Sequence, residues 1–369
     1  MPGSTPSLHV LLAGGGTGGH IFPALAVGEE LVSRGWRVSF AGSASGLEAR
    51  LVPERGIAFH ALPARPLVGR GLVAKVQALA VAARSAFAAA GLLRRIGAQV
   101  VLGTGGYASA PAVLGARLAR RPVLLLEPNA RAGVANRLAS RCASGAAVGW
   151  SATAKDLRCP SWVTGVPVRA AFFAVPAELP PAPLRLLVLG GSQGAQSINQ
   201  ALPAAIRRLS GSHPALRVLH QAGARNLEAA RAAWAEAGFA GDERIEVVPF
   251  LDDVAGAMAA SHLLVSRAGA ITLAEICAAG RASLLVPLSL AQGHQVDNAK
   301  VLVDAGAAAM ILSAELTPER LADRLGELLG ELPGDLSRLA TMGRAARSLA
   351  HPRAVAEIAD RLEALGGVR

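Results

Sequence analysis

Leu8-His9-Val10-Leu11-Leu12-Ala13 runs directly into Gly14-Gly15-Gly16-Thr17-Gly18-Gly19-His20, and an apolar stretch from Ile21 to Val32 follows. The first six residues read as a buried strand, the glycines as a tight turn and the apolar stretch as a helix. A strand feeding a helix through glycines is the repeating unit of a parallel α/β sheet. It also aims free backbone N–H groups past the strand end, where a phosphate is favoured. His20 closes the turn with the side chain best suited to moving a proton near neutral pH.

The same pattern continues outward from this point. Strands are expected at Leu8–Ala13, Arg37–Ala41, Ala98–Leu102, Pro122–Leu126 and Gly145–Val148, with helical patterns at Phe22–Ser33, Ala74–Ile96 and Ala110–Ala119. A proline-rich passage, Pro176 to Pro183, interrupts the alternation. It then restarts with Leu184–Leu189, the turn Gly190-Gly191-Ser192-Gln193-Gly194-Ala195 and a helix over Ile198–Leu209. Further strands are expected at Arg217–Gln221, Ile245–Pro249, Leu263–Ser266 and Ser283–Pro287. Two Rossmann-like domains with parallel sheets facing a central cleft follow from this weak internal repeat, and ligands of such sheets bind at the strands' carboxyl ends. A chain of 369 residues is long enough for two cores.

Charge is unevenly shared. Residues 1–165 carry a net charge of +12 and residues 166–369 one of −1; between Arg55 and Leu126 there are ten basic residues and no acidic one. The first half therefore asks for an anionic partner, a nucleic acid or an acidic membrane face. With aromatic residues at 4% there is no stacking platform, so nucleic acid is not expected. A basic composition with no target at all is the plainer alternative. The uncharged stretches Ile96–Ala116 and Leu186–Ile206 are broken by glycine, serine, glutamine or proline and read as strand–loop–helix passages rather than membrane spans. No signal peptide is expected, and three scattered cysteines, Cys142, Cys159 and Cys277, suggest a reducing compartment.

Gly14, Gly16 and Gly19 satisfy the G-x-G-x-x-G spacing of dinucleotide-binding turns, but that reading needs a carboxylate at the end of the second strand. Here the strand ends Phe40-Ala41-Gly42-Ser43, and the next carboxylate is Glu48. A tight turn needing glycine only for space is the remaining alternative. A second glycine turn, Gly103-Thr104-Gly105-Gly106-Tyr107, follows another strand of the same half, and two such loops side by side suit a diphosphate.

In the second half, Ser266-Arg267-Ala268-Gly269-Ala270-Ile271-Thr272-Leu273-Ala274-Glu275 leaves a strand and opens a helix. Its first N–H groups suit a diphosphate, and Glu275, one turn in, suits the two hydroxyls of a ribose. A capping box, Thr272-x-x-Glu275, is the competing reading. The polar cluster Gln292, His294, Gln295 and Asn298 follows the next strand and offers donors and acceptors for sugar hydroxyls.

These motifs, in this order and spacing and over essentially the whole chain, resemble the MurG family of N-acetylglucosamine transferases. The resemblance implies a GT-B fold of two α/β domains. Residues 1–165 would be an acceptor-binding, membrane-facing domain on which a C-terminal helix (348–369) packs back, and residues 166–347 a UDP-GlcNAc-binding domain. The implied reaction is inverting transfer of GlcNAc from UDP-GlcNAc to the MurNAc 4-hydroxyl of an undecaprenyl-diphosphate-linked acceptor, lipid I, at the cytoplasmic face of the membrane.

By matching position, the resemblance gives the uracil to the Leu251 backbone, the ribose to Glu275 and the diphosphate to Arg169, Ser192 and the helix start Ala270-Ile271-Thr272, which continues through Leu273 and Ala274. It gives the sugar to Gln295, with Thr17, Gly18, Gly19 and Asn129 approaching the donor. Acceptor residues would be Gly105, Gly106, Tyr107 and Glu127, and His20 the base. The chain departs from patterns common in the family at Pro128, Val166, Ala268 and His294, and His294 bears on the sugar contact.

No Asp-x-Asp motif occurs, only Asp252-Asp253, so neither a resident metal nor an organic cofactor is expected. Leu72, Val76, Leu79, Ala83 and Phe87 fall on one helical face beside Lys75 and Arg84, either as a peripheral contact with an anionic membrane or as packing against the sheet. A UDP-GlcNAc 2-epimerase-like enzyme of the same architecture and a non-catalytic lipid-diphosphate binding protein are the two other classes the residues leave open.

Overall fold

The computed structural model describes residues 8–63, 72–191, 194–288, 294–330 and 335–367. The chain divides into two compact units, Met1–Val168 with His351–Arg369, and Arg169–Ala350. Each is a parallel sheet with helices on its faces.

The first unit is built on β1 (His9–Ala13), β2 (Arg37–Gly42), β3 (Ala58–Ala61), β4 (Val100–Gly103), β5 (Val123–Glu127), β6 (Gly145–Val148) and β7 (Ser161–Val163). Their order is β3-β2-β1-β4-β5-β6-β7, all parallel. Because strand side chains alternate, β1 feeds two separate cores. Val10 and Leu12 join Phe40, Val100 and Leu102 under the helix Gly18–Ser33 and the C-terminal helix Ala354–Gly366. Leu11 and Ala13 join Val101, Val123 and Leu125 on the opposite face, with Ala89 and Leu93 of helix Leu72–Ile96 and Ala112 and Val113 of helix Ala110–Leu118.

The C-terminal helix is tied down by apolar burial of Ile358, Ala359 and Leu362 and by the 2.6 Å ion pair of Arg34 with Asp360. The glycine turn is shorter than its sequence suggests: the helix starts at Gly18, so His20 lies in its first turn.

The second unit contains β8 (Arg185–Leu189), β9 (Arg217–Gln221), β10 (Ile245–Val248), β11 (Leu263–Ser266), β12 (Ala282–Leu285) and β13 (Ala308–Met310), in the order β10-β9-β8-β11-β12-β13. Leu186, Val188, Leu263, Val265 and Leu284 face Ile198, Leu202 and Ile206 of helix Gln196–Leu209 and Leu321 and Leu325 of helix Pro318–Leu329.

Both sheets reverse direction of growth at one point, between β1 and β4 and between β8 and β11. Loops leaving neighbouring strands there diverge to opposite faces and open a crevice at the strand ends. The four glycine turns read from the sequence leave these four strands.

Candidate active site

In the first unit, the turns after β1 and β4 are stitched together. Thr104 donates its N–H to the Ala13 carbonyl (2.8 Å) and its hydroxyl to the His20 carbonyl (2.8 Å). Gly105 and Gly106 have φ of +87° and +72°, conformations that favour glycine. They bring the chain against His20: a Cβ on Gly106 would stand 3.2 Å from His20 Nδ1 and 2.7 Å from the Gly15 oxygen. The Tyr107 ring lies over Gly16. His20 is half-buried, with Thr17 Oγ1 3.1 Å from Nδ1. Burial holds its pKa below the ordinary value, opposed by the Glu127 carboxylate, a hydrogen bond to the Gly15 backbone and the Glu48 carboxylate. At neutral pH the ring is therefore neutral and able to accept a proton.

Glu127, at the end of β5, is buried with both oxygens engaged. Oε1 accepts from the N–H (3.1 Å) and Nδ2 (2.8 Å) of Asn129, and Oε2 from Gly133 N–H (2.8 Å) and Asn136 Nδ2 (3.0 Å). It therefore shapes the loop that carries Asn129. The glycine turn itself holds a second buried carboxylate, Glu48, which accepts from Gly16 N–H at 3.2 Å and Ser43 N–H at 2.9 Å. Thr17 is exposed and Gly18 and Gly19 half-buried at the helix start.

In the second unit, helix Ala270–Ala279 is capped by Gly269 with no side-chain hydrogen bond. Thr272 sits at its third residue, so the Thr272–Glu275 capping box does not form, and the N–H groups of Ala270, Ile271 and Thr272 have no acceptor among the described residues. Leu273 and Ala274 are buried. Glu275 projects one turn in. Its carboxylate makes no hydrogen bond or ion pair to any described residue, and burial pushes its pKa up to about 7 while Arg169 pulls it back.

Arg169 itself is exposed, its guanidinium 5.0 Å over the Phe172 ring. Leu251 lies beyond β10, half-buried, with neither backbone polar group paired among the described residues. Gln295 gives its side-chain oxygen to Leu288 N–H (3.0 Å), which leaves its amide N–H groups for a ligand. Ser192 and Gln292 lie outside the described residues.

Three residues support the site, and two of them, Arg267 and Asn136, had no assigned role in the sequence. Arg267 donates to the Val286 carbonyl, Ser313 and Ser197, bracing the β11 turn against the ends of three neighbouring elements. Asn298, expected in the cluster offered to sugar hydroxyls, is instead fully buried and donates its amide to the Ala268 carbonyl (3.1 Å), holding the β11 turn. Asn136 performs the equivalent task in the first unit, donating to Leu126 and Glu127. Arg267 and Asn298 stand inside motifs already quoted, and their buried amide or guanidinium groups were the available signal.

Residues 10–148 match the glycosyltransferase family 28 N-terminal domain and residues 185–358 its C-terminal domain. A protein of Aromatoleum aromaticum, named UDP-N-acetylglucosamine–N-acetylmuramyl-(pentapeptide) pyrophosphoryl-undecaprenol N-acetylglucosamine transferase, is 42% identical over 98% of both chains. One of the same name from Burkholderia ambifaria is 41% identical over 95% of this chain and 94% of its own. The crystal structure of Acinetobacter baumannii MurG superposes with a TM-score of 0.82 at 31% identity, covering 97% of this chain and 99% of that one. A Listeria monocytogenes structure described as a putative UDP-N-acetylglucosamine 2-epimerase shares the fold (TM-score 0.68) at 15% identity.

Proposed function

The chain belongs to glycosyltransferase family 28 and, within it, to the MurG transferases of GT-B fold; from that premise we propose how its two units divide the reaction. It transfers GlcNAc from UDP-GlcNAc to lipid I, giving lipid II in peptidoglycan synthesis. The second unit holds the donor and the first the acceptor. The observation that carries this division is Glu275: a carboxylate without a partner among the described residues, one turn beyond three unpaired helix N–H groups. Ribose hydroxyls donate to it, the N–H groups of Ala270, Ile271 and Thr272 take the diphosphate, and the Leu251 backbone reads the uracil edge. Arg169 and Ser192 complete the diphosphate site, and Gln295 meets the sugar. Negative charge grows on the leaving UDP, so the oriented helix N-terminus and Arg169 act where stabilisation raises the rate.

His20 accepts the proton of the MurNAc 4-hydroxyl as that oxygen attacks the anomeric carbon from the face opposite UDP, inverting it. Gly105, Gly106 and Tyr107 line the acceptor's approach. Glu127 supports Asn129, which with Thr17, Gly18 and Gly19 serves the donor sugar. Replacing His20 with Ala lowers kcat by about 10²- to 10⁴-fold with little change in the KM for UDP-GlcNAc; an unchanged kcat in a lipid I assay would remove His20 from this role.

The first unit also supplies a peripheral contact with the anionic cytoplasmic leaflet. Among the described side chains of helix Leu72–Ile96, Ala83, Arg84 and Phe87 are exposed, Phe87 at 70%, while Ala86, Ala89 and Leu93 pack inward. The side chains of Leu72, Lys75, Val76 and Leu79 lie outside the described residues. Among the described residues no helix is long and apolar enough to cross a membrane. The excess basic charge of this half supports the reading. In vesicle sedimentation, binding should rise with anionic lipid and fall with salt; indifference to both would refute it.

A further inference from the structure

Glu48 is a fully buried carboxylate to which the chemistry above gives no task. It opens the short helix Glu48–Leu51 after β2. Three glycines, Gly15 after β1, Gly42 at the end of β2 and Gly46 in the turn that follows, make room for it. A Cβ on Gly42 would stand 2.5 Å from Glu48 Cγ, and a Cβ on Gly15 or Gly46 would run into the carboxylate itself. Gly15, set between the first two glycines of the dinucleotide-like spacing, is thus part of a socket for a side chain of the same unit.

What this carboxylate grips is one end of a single peptide group. The Gly16 N–H donates to Glu48 Oε2. The carbonyl of the same peptide belongs to Gly15, whose backbone accepts a hydrogen bond from the His20 ring; that oxygen and His20 Nδ1 lie 2.7 and 3.2 Å from one point, the place of a Cβ on Gly106. Gly16, at φ +84°, permits this orientation of the plane. An N–H bonded to a buried carboxylate polarises its own carbonyl, so hydrogen bonds in such a chain reinforce one another.

We propose that Glu48 is a positioning residue for His20, acting through the Gly15–Gly16 peptide to fix the imidazole and sustain its basicity. The proposal rests on the reading of His20 as the base. The other groups acting on that ring are the Glu127 carboxylate, the Thr17 hydroxyl and, across Gly16, the Tyr107 ring.

The test is an NMR titration of His20 in the full-length wild type and Glu48→Gln, beside kcat and KM for both substrates. In Glu48→Gln the His20 pKa should fall by about half a unit or more. With it, kcat should drop about tenfold and the acid limb of its pH profile move to lower pH, while the KM for UDP-GlcNAc, set by the other unit, stays within about twofold. Glu48→Asp keeps the charge in the same socket but reaches both N–H groups poorly, so its values should fall between the two; it carries the same readouts if Glu48→Gln does not fold. An unchanged His20 pKa in these variants overturns the proposal. So does an equal loss of kcat from Glu48→Gln in a His20→Ala background. A shifted pKa together with full turnover by His20→Ala would instead overturn the base assignment and leave the coupling intact.

Discussion

The turn after β1 and the turn after β11 are written alike, a buried strand emptying through glycine into a helix, and they end in opposite electrostatic states. After β1 the Gly16 N–H points back into the protein, onto the carboxylate of Glu48. After β11 the first N–H groups of the helix are left open, and the nearby carboxylate of Glu275 has no partner among the described residues. The first turn carries its own anion, and the second is completed by one from outside. Glycine-rich βα turns are therefore read by what fills them rather than by their spacing.

The most direct attack on this contrast is Glu275→Ala. If the carboxylate waits for two ribose hydroxyls, kcat/KM for UDP-GlcNAc should fall by about 10²- to 10⁴-fold, since hydrogen bonds to a charged group contribute roughly 1.5–3 kcal/mol each. Steady-state kinetics with saturating acceptor measures this, and a loss under about fivefold would break the comparison.

A third turn, after β8, sharpens it. There a neutral chain does the bracing: Trp234 Nε1–H donates to His220 Nδ1, His220 Nε2–H to Asn199 Oδ1, and Asn199 Nδ2 to the Ala222 carbonyl beside Gly194. His220 is wholly buried and its pKa is pushed down to about 4. Between that value and the ordinary 6.5 the unfolded chain binds the proton and the folded one does not. The His220 contribution is thus full above pH 6.5 and lost as pH falls toward 4, by about 3 kcal/mol. Urea unfolding of the wild type and of His220→Gln across that range should show the slope in the former alone.

The glycines themselves test space against conformation. Gly46→Ala drives a methyl into Glu48 and should lower stability by about 1–3 kcal/mol. Gly269 has φ −67° and only Thr272 Oγ1 near its Cβ position, at 3.8 Å, so Gly269→Ala should lie within about 0.5 kcal/mol of the wild type. Equal effects in thermal unfolding would mean that the Glu48 socket is no more crowded than the open turn. The open turn also titrates. With Glu275 at about 7, the KM for UDP-GlcNAc should rise roughly tenfold per unit below pH 7, and Glu275→Gln should lose that slope.

Ten of the thirteen strands are expected from the sequence, most of them buried apolar runs at or near the centre of their sheets. The ones left unread, β3, β7 and β13, are sheet edges of three or four residues. Ala58–Ala61 and Ser161–Val163 have no buried residue, so neither alternation nor a hydrophobic run marks them. What places them is pairing with a neighbour, Ser39 against Ala58 or Ala146 against Ser161. The site divides in the same way. His20, Glu275 and the helix start at Ala270 stand in local motifs, whereas Glu48 looked like a carboxylate too late to hold a ribose.

By itself the sequence determined two parallel α/β units, the strand ends where chemistry would gather, and the residue types offered there. Those follow from hydrophobic period and from glycine, which act over a few residues. Only tertiary structure decided which of the two glycine turns stays open. That depends on whether a carboxylate 32 residues away in the chain folds back onto a backbone N–H of the turn, as Glu48 does onto that of Gly16.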